Sequence, residues 1–282
     1  MFRSALLQIM TNIKLYLLFT QHCSMILSVF TFLESNWLLI SMFFLVSIVY
    51  ASVGFGGGSS YLVLLTLFGF AFPQLRTTAL LCNVVVVSGN VFFYYQQNQY
   101  QLKQIVPLLL LSVPCAFLGG FLKISAPFFY ILLGFTLLTS SVMTWYSSNK
   151  NKKYLKNNTN KYPVKASLCG GIIGFVSGMV GIGGGIFLAP ILYLTNWNTP
   201  KKIAATASFF ILANSIAGLL GQYQHPDFYI DWNLTIVLLT TVLVGGQIGI
   251  RVSNNLLTPI QLKKATAILI GLVSLRILLK YL

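Results

Sequence analysis

Long apolar runs alternate with short polar breaks along the chain, and the runs fall into two sets of five. The first set covers about 37–54, 59–72, 76–95, 104–122 and 126–146, and the second about 166–182, 186–197, 203–222, 232–250 and 263–281. An earlier run, about 15–33, holds Gln21 and His22 and is expected to cross a membrane or to lie in its interface. Several runs approach or exceed the roughly 18 apolar residues that a bilayer crossing needs. Between the sets lies SSNKNKKYLKNNTNKYPVK, residues 147–165, which is polar, Asn-rich and basic and reads as a loop or linker. The pattern predicts an all-α polytopic membrane protein with about 8–10 membrane segments. Its parts are an N-terminal segment 1–36, a first transmembrane repeat 37–146, the linker 147–165 and a second repeat 166–282.

The two sets resemble each other. Aligning Gly54 with Gly181, an offset of 127 residues, matches GFGGG with GIGGG, Pro73 with Pro200 and Ser88 with Ser215. In both sets the second run is short for a full crossing and follows a glycine triplet. Glycine weakens a helix, and lipid supplies no water to repair the backbone, so irregular chain at membrane depth is expected to line a cavity. The expectation is therefore two repeats, each with a helix broken by glycine.

Composition sharpens the membrane reading. The chain is 56% hydrophobic and 7% charged, against about 25% charged in a soluble domain. The net charge of +15 then bears on topology and lipid contact rather than on nucleic acid. If the chain changes sides at every run, one side collects Lys103, the linker lysines, Lys201, Lys202, Lys263 and Lys264. The other collects Arg76, Lys123, Lys280 and all three acids, Glu34, Asp227 and Asp231. The lysine-rich side is assigned to the cytoplasm. An odd number of crossings per set makes the repeats inverted, an arrangement typical of transporters with a midplane site. MFRSALLQIMTNIKLYLLFTQHCSM shows no small-residue cleavage site, so a removed signal peptide is not expected. The four cysteines have neither metal-ligand nor redox spacing and read as small buried hydrophobes.

The candidate chemistry starts at the glycines. A helix that begins inside a membrane presents unsatisfied N–H groups and about half a positive charge. Glycine lets an anion come close to that backbone, and neighbouring hydroxyls add donors. One such substrate site is expected at Gly56, Gly57, Gly58, Ser59 and Ser60, and a second at Gly183, Gly184 and Gly185. By contrast Gly170, Gly174 and Gly178 have a small-xxx-small spacing that serves helix packing. Arg76, Asn83 and Asn90 recur every seven residues and share a helix face; Ser208, Ser215 and Gln222 repeat the spacing, with Thr206 and Asn214 nearby. Such faces either join helices or line a path. Asn83 and Asn214 are the leading candidates for substrate contact, with Asn90, Thr206 and Ser208 beside them. Arg76, Lys201 and Lys202 fit topology and headgroup roles better than anion attraction. No acid lies within a span, where cation pumps and proton-coupled carriers usually keep one. HPDFYID reads as a solvated turn, and no Walker sequence, complete G-x-G-x-x-G or nucleophile elbow is present. No enzyme activity, metal or cofactor is expected.

These motifs carry a family resemblance. GFGGGSSYLVLLTLFGF with Pro73, SGMVGIGGGIFLAPIL with Pro200, then AATASFFILANSIAG and LVGGQIGIRVS resemble the TauE/SafE sulfite exporter family over nearly all of residues 37–282. The first half departs from the pattern: TTALLCN stands opposite the ATAS stretch, and Val63 opposite Pro190. The resemblance implies a carrier of sulfite, a sulfonate or another small, often sulfur-containing anion. The expected partners are that anion and the bilayer of the inner or plasma membrane. With a negative interior, outward movement of one negative charge gains about 2.3 kcal/mol per 100 mV, which favours export by an uncoupled carrier. The alternatives are a cation-coupled carrier of another small organic anion, a non-transporting membrane scaffold and, more remotely, an intramembrane hydrolase.

Overall fold

The structure is a computed structural model that describes residues 36–148, 163–195, 197–226 and 228–252, with 267–268, 271–272, 274–275, 277–279 and 281 further on. The chain divides into two compact units, residues 1–41 and 42–282. Of the first unit, residues 36–41 are described and are helical. The run at 15–33, most of the linker and Lys263, Lys264 and Lys280 lie outside the described residues.

Every regular element among the described residues is an α-helix. They are α1 (Asn36–Ser52), α2 (Gly58–Leu67), α3 (Phe72–Gln96), α4 (Leu102–Phe121) and α5 (Ala126–Ser148). After the linker come α6 (Pro163–Val180), α7 (Gly185–Leu194), α8 (Pro200–Tyr223) and α9 (Trp232–Val252). Five of them, α3, α4, α5, α8 and α9, are long and apolar enough to cross a bilayer. The chain is an all-α polytopic membrane protein. Phe92, Leu110, Ile172 and Leu220 stand exposed on the helix surfaces, a cost in water that lipid removes.

The offset of 127 residues reappears in the helix bounds. Helix α2 at 58–67 maps onto α7 at 185–194, and α3 and α8 both open on a proline in the first turn, Pro73 and Pro200. Proline is at home there, since its missing N–H has no intrahelical partner to lose. Packing is reciprocal between the halves. Helix α4 packs on α6 and α8, and α9 on α3. The matching pair, α9 with α1, meets where Gly245 and Gly249 lie against Phe44, Ser47 and Ile48. Each half thus lends its first helix to the fourth helix of the other.

Small residues make these approaches possible. A Cβ on Gly170, Gly174 or Gly178 would overlap the carbonyl oxygen of Leu108, Ser112 or Ala116 respectively. The expected packing stripe of α6 therefore lies on a matching four-residue ladder of α4 backbone. Gly120 and Gly221 bring α4 against α8 in the same way, over Gly218 O and Phe117 O. In lipid, where apolar burial drives little association, such backbone contact supplies much of the cohesion between helices.

Candidate functional site

Helix α1 ends in a left-handed glycine cap. Gly54 has φ +85°, its N–H donates to Ala51 O at 2.9 Å, and Phe55 N–H donates to Tyr50 O at 2.9 Å. The second repeat does the same at Gly181, also φ +85°. Three residues on, Gly57 and Gly184 both take φ +81° and serve as the N-caps of α2 and α7. Only glycine holds that backbone without strain. Both short helices open on the third glycine of the triplet, and neither cap residue has a side chain to satisfy the first turn.

Ten residues of helix are about 15 Å long, half the hydrocarbon thickness of a bilayer. Both helix starts are therefore at depth whenever their far ends reach an interface. In α2 the first intrahelical bond to the cap runs from Tyr61 N–H to Gly57 O at 3.0 Å. The amides of Gly58, Ser59 and Ser60 are left without helical acceptors.

Asn83, buried on α3, reaches between the two loops. Its Oδ1 accepts the Gly58 N–H at 2.8 Å, and its Nδ2 donates to Ile182 O at 2.8 Å. One amide thus ties the first glycine loop to the second. In the second repeat Phe210 stands at the equivalent position, so the amide bridge made by Asn83 has no counterpart there.

A cavity of about 50 Å³ lies between the loops. It is lined by Gly56, Gly57, Gly58 and Ser59 from one helix start, Ile182, Gly185 and Ile186 from the other, and Asn83 between them. Tyr50 and Thr144 add hydroxyls, and Phe55, Pro190 and Ile211 add apolar wall. The space exceeds the ~10–15 Å³ that one water occupies by this measure. Among the described residues no charged side chain lines it. Two helix starts together offer about one positive elementary charge, carried by backbone alone.

A family model described as "Sulfite exporter TauE/SafE" matches residues 39–277. The chain belongs to the TauE/SafE family. Among curated relatives, the "Probable membrane transporter protein y4hK" of Sinorhizobium fredii is 30% identical over 241 residues, covering 84% of this chain and 95% of its own. The "Probable membrane transporter protein MJ0441" of Methanocaldococcus jannaschii is 25% identical over 266 residues, covering 89% of this chain and 98% of its own. No solved structure matches the chain.

Within this TauE/SafE protein the expected site residues divide into two groups. Gly56, Gly57, Gly58, Ser59, Asn83 and Gly185 come together around the cavity. Ser60 stands just behind it, donating from Oγ to Tyr50 OH at 2.8 Å. Asn90 braces the first loop, with Nδ2 donating to Phe55 O at 3.2 Å. Gly183 and Gly184 shape the second loop without lining the cavity, and buried Ser215 Oγ, which lacks a partner, stands beside Gly183.

Thr206, Ser208 and Asn214 are not brought to the cavity. Thr206 Oγ1 donates to Lys202 O and Ser208 Oγ to Ala204 O, both within α8. Asn214 donates to Phe210 O at 2.8 Å and accepts from Ser112 Oγ at 2.6 Å, which joins α8 to α4. In this arrangement both ends of the Asn214 amide are taken up by protein partners. A double-mutant cycle on Ser112→Ala and Asn214→Ala is expected to give about 1 kcal/mol of coupling in thermal unfolding, with transport rates kept within about twofold of wild type. Lys201 is exposed and Lys202 half-buried.

Sequence reasoning missed Tyr50 and Thr144. Tyr50 carries a signal, because it lies four residues before the glycine cap that ends α1. Thr144 carries none that separates it from the other hydroxyls of α5.

Proposed function

We propose that the protein, a membrane transporter, binds a small sulfur-containing oxyanion such as sulfite or a sulfonate between the starts of α2 and α7 and moves it by alternating access. The observation that carries this reading is the cavity itself, flanked by two glycine-opened half-helices and, among the described residues, lined by no charged side chain. Such a site attracts one negative charge through backbone amides and holds a cation poorly. Asn83 orients the solute and keeps the two loops in register.

Reciprocal packing of first and fourth helices supports two halves related by an inverted repeat that rock against each other about the fixed site. On this reading the linker 147–165 is cytoplasmic, the bilayer is the cell membrane, and the interior-negative potential drives net export.

The test is flux in proteoliposomes that hold purified protein and sulfite, thiosulfate, sulfate or a small sulfonate. At least one of these anions is expected to leave faster under an inside-negative potential, with no need for sodium. Gly57→Val, which forces a β-branched residue into left-handed backbone, is expected to stop that flux. Sodium-dependent uptake would favour the cation-coupled carrier, and absence of flux for every anion would sink the proposal.

A further inference from the structure

A second cavity, of about 340 Å³, shares no residue with the central one. It lies where the start of α3 and the start of α5 meet the ends of α4 and α8. Its lining includes Arg76, Thr77, Lys123, Gln222 and His225. The sequence placed Arg76 among topology and headgroup residues. In the structure the side chain is only 6% exposed, so it does not extend freely from the surface.

Three nitrogens on this lining are buried and lack hydrogen-bond partners: Arg76 Nε, Gln222 Nε2 and His225 Nε2. Each has the neighbours that fix its orientation. Arg76 Nη2 donates to Gly178 O at 3.2 Å, a free carbonyl at the end of α6, which leaves Nε pointing elsewhere. Thr77 Oγ1 shares its proton between Pro73 O at 3.2 Å and Gln222 Oε1 at 3.3 Å, and Gln222 Nε2 is left without a partner. The His225 ring stacks on Phe121 with centroids 5.7 Å apart.

Among the described residues the buried Arg76 guanidinium bonds to a neutral carbonyl and forms no ion pair, and a buried charge without a counter-ion is strongly unfavourable. Asp231, the one acid among the described residues, is engaged elsewhere, accepting the N–H groups of Asn233 and Leu234 at the start of α9. Arg Nε–H forms half of the edge that grips an oxyanion through two parallel hydrogen bonds. Gln222 and His225 line the same cavity and bring an amide NH2 and an imidazole nitrogen to the set.

We propose that this cavity is a second anion-binding site, in which Arg76, Gln222 and His225 hold an oxyanion, supplied either as a free solute or as a lipid headgroup phosphate. The Arg76 backbone lies against Gly181, an ideal Cβ of which would stand 3.2 Å from Arg76 Cα. The second site is thus coupled by packing to the loop that opens α7.

The test is a titration of detergent-purified full chain with sulfate in a gluconate buffer, read by intrinsic-fluorescence melting. A parallel arm uses nanodiscs with and without phosphatidylglycerol, with native mass spectrometry to count retained lipid. The melting midpoint of the wild type is expected to rise saturably with sulfate. Arg76→Gln is expected to weaken the apparent affinity by about tenfold or more, Arg76→Lys to restore part of it, and Gln222→Leu to weaken it about threefold. If the occupant is a headgroup, sulfate does nothing to lipid-bound protein. Phosphatidylglycerol then raises the midpoint, and Arg76→Gln loses the retained lipid. The proposal is overturned if the wild type answers neither probe. It is equally overturned if Arg76→Gln and Gln222→Leu, melting cooperatively, bind as the wild type does. Should Arg76→Gln not fold, unchanged affinity in Gln222→Leu overturns it alone.

Discussion

Gly58→Ala is expected to abolish most of the proposed anion flux in a protein that still inserts and folds. Local propensity argues the other way, since alanine in a helix is favoured over glycine by about 1 kcal/mol, and Gly58 has ordinary helical φ. The new methyl, however, would stand within 2.7 Å of Asn83 Cγ and overlap the amide nitrogen. A free asparagine would rotate aside. This one is pinned by two hydrogen bonds of 2.8 Å, to Gly58 N–H and to Ile182 O. Breaking them leaves buried groups unsatisfied at about 1–3 kcal/mol each. The net loss of about 2–4 kcal/mol corresponds to at least a thirtyfold drop in the correctly assembled site. Rates in proteoliposomes check the drop, and the double variant checks the cause. If the clash with Asn83 is responsible, Gly58→Ala added to Asn83→Ala does little further harm. Wild-type flux in Gly58→Ala, or strict additivity, would count against this account of the site.

The second large effect is structural. Gly174→Leu is expected to lower the thermal midpoint by about 6–12 °C, equivalent to about 3 kcal/mol. The added Cβ meets Ser112 Cα at 2.8 Å and Ser112 Oγ at 2.7 Å, besides overlapping the carbonyl oxygen. Backbone cannot rotate away, so α6 and α4 must separate along their whole contact. Ser112 also donates to Asn214, so the strain reaches α8. Gly218→Ala is the matched control on a buried helix. Its Cβ would find Leu80 Cδ1 at 3.5 Å, ordinary contact distance, and its midpoint is expected to stay within about 2 °C of wild type. Equal destabilisation by the two changes would show that glycine content, not close backbone approach, sets stability here.

The two substitutions mark the limits of what the bare sequence discloses. Both glycines sit in apolar stretches, and the small-xxx-small spacing of Gly170, Gly174 and Gly178 already pointed to packing. The triplets at Gly56–Gly58 and Gly183–Gly185 already pointed to helix starts at depth. Neither pattern says which neighbour a Cβ would strike. That depends on Asn83 in one case and on the Ser112 backbone in the other, each on a helix distant in sequence.

The polar faces show the same limit. The seven-residue spacing of Arg76, Asn83 and Asn90 correctly predicts one face of one helix. It does not say whether that face meets a cavity, a loop or another helix. The structure distributes the three residues among a second cavity, the central site and a loop brace. Asn214 has the same residue type and a similar setting on α8, yet Ser112 claims its oxygen.

What the sequence by itself determined is the helical membrane architecture, the two half-helices opened by glycine and the repeat at 127 residues. Each follows from local chemistry: apolar length, glycine's freedom at positive φ, and recurrence along the chain. Only the tertiary structure decided that the two glycine loops share a cavity, that Asn83 bridges them, and that Arg76 is buried with Gln222 and His225 around a second one. Those facts depend on contacts between residues roughly a hundred or more positions apart, and no periodicity along a single helix encodes which residue its neighbour will present.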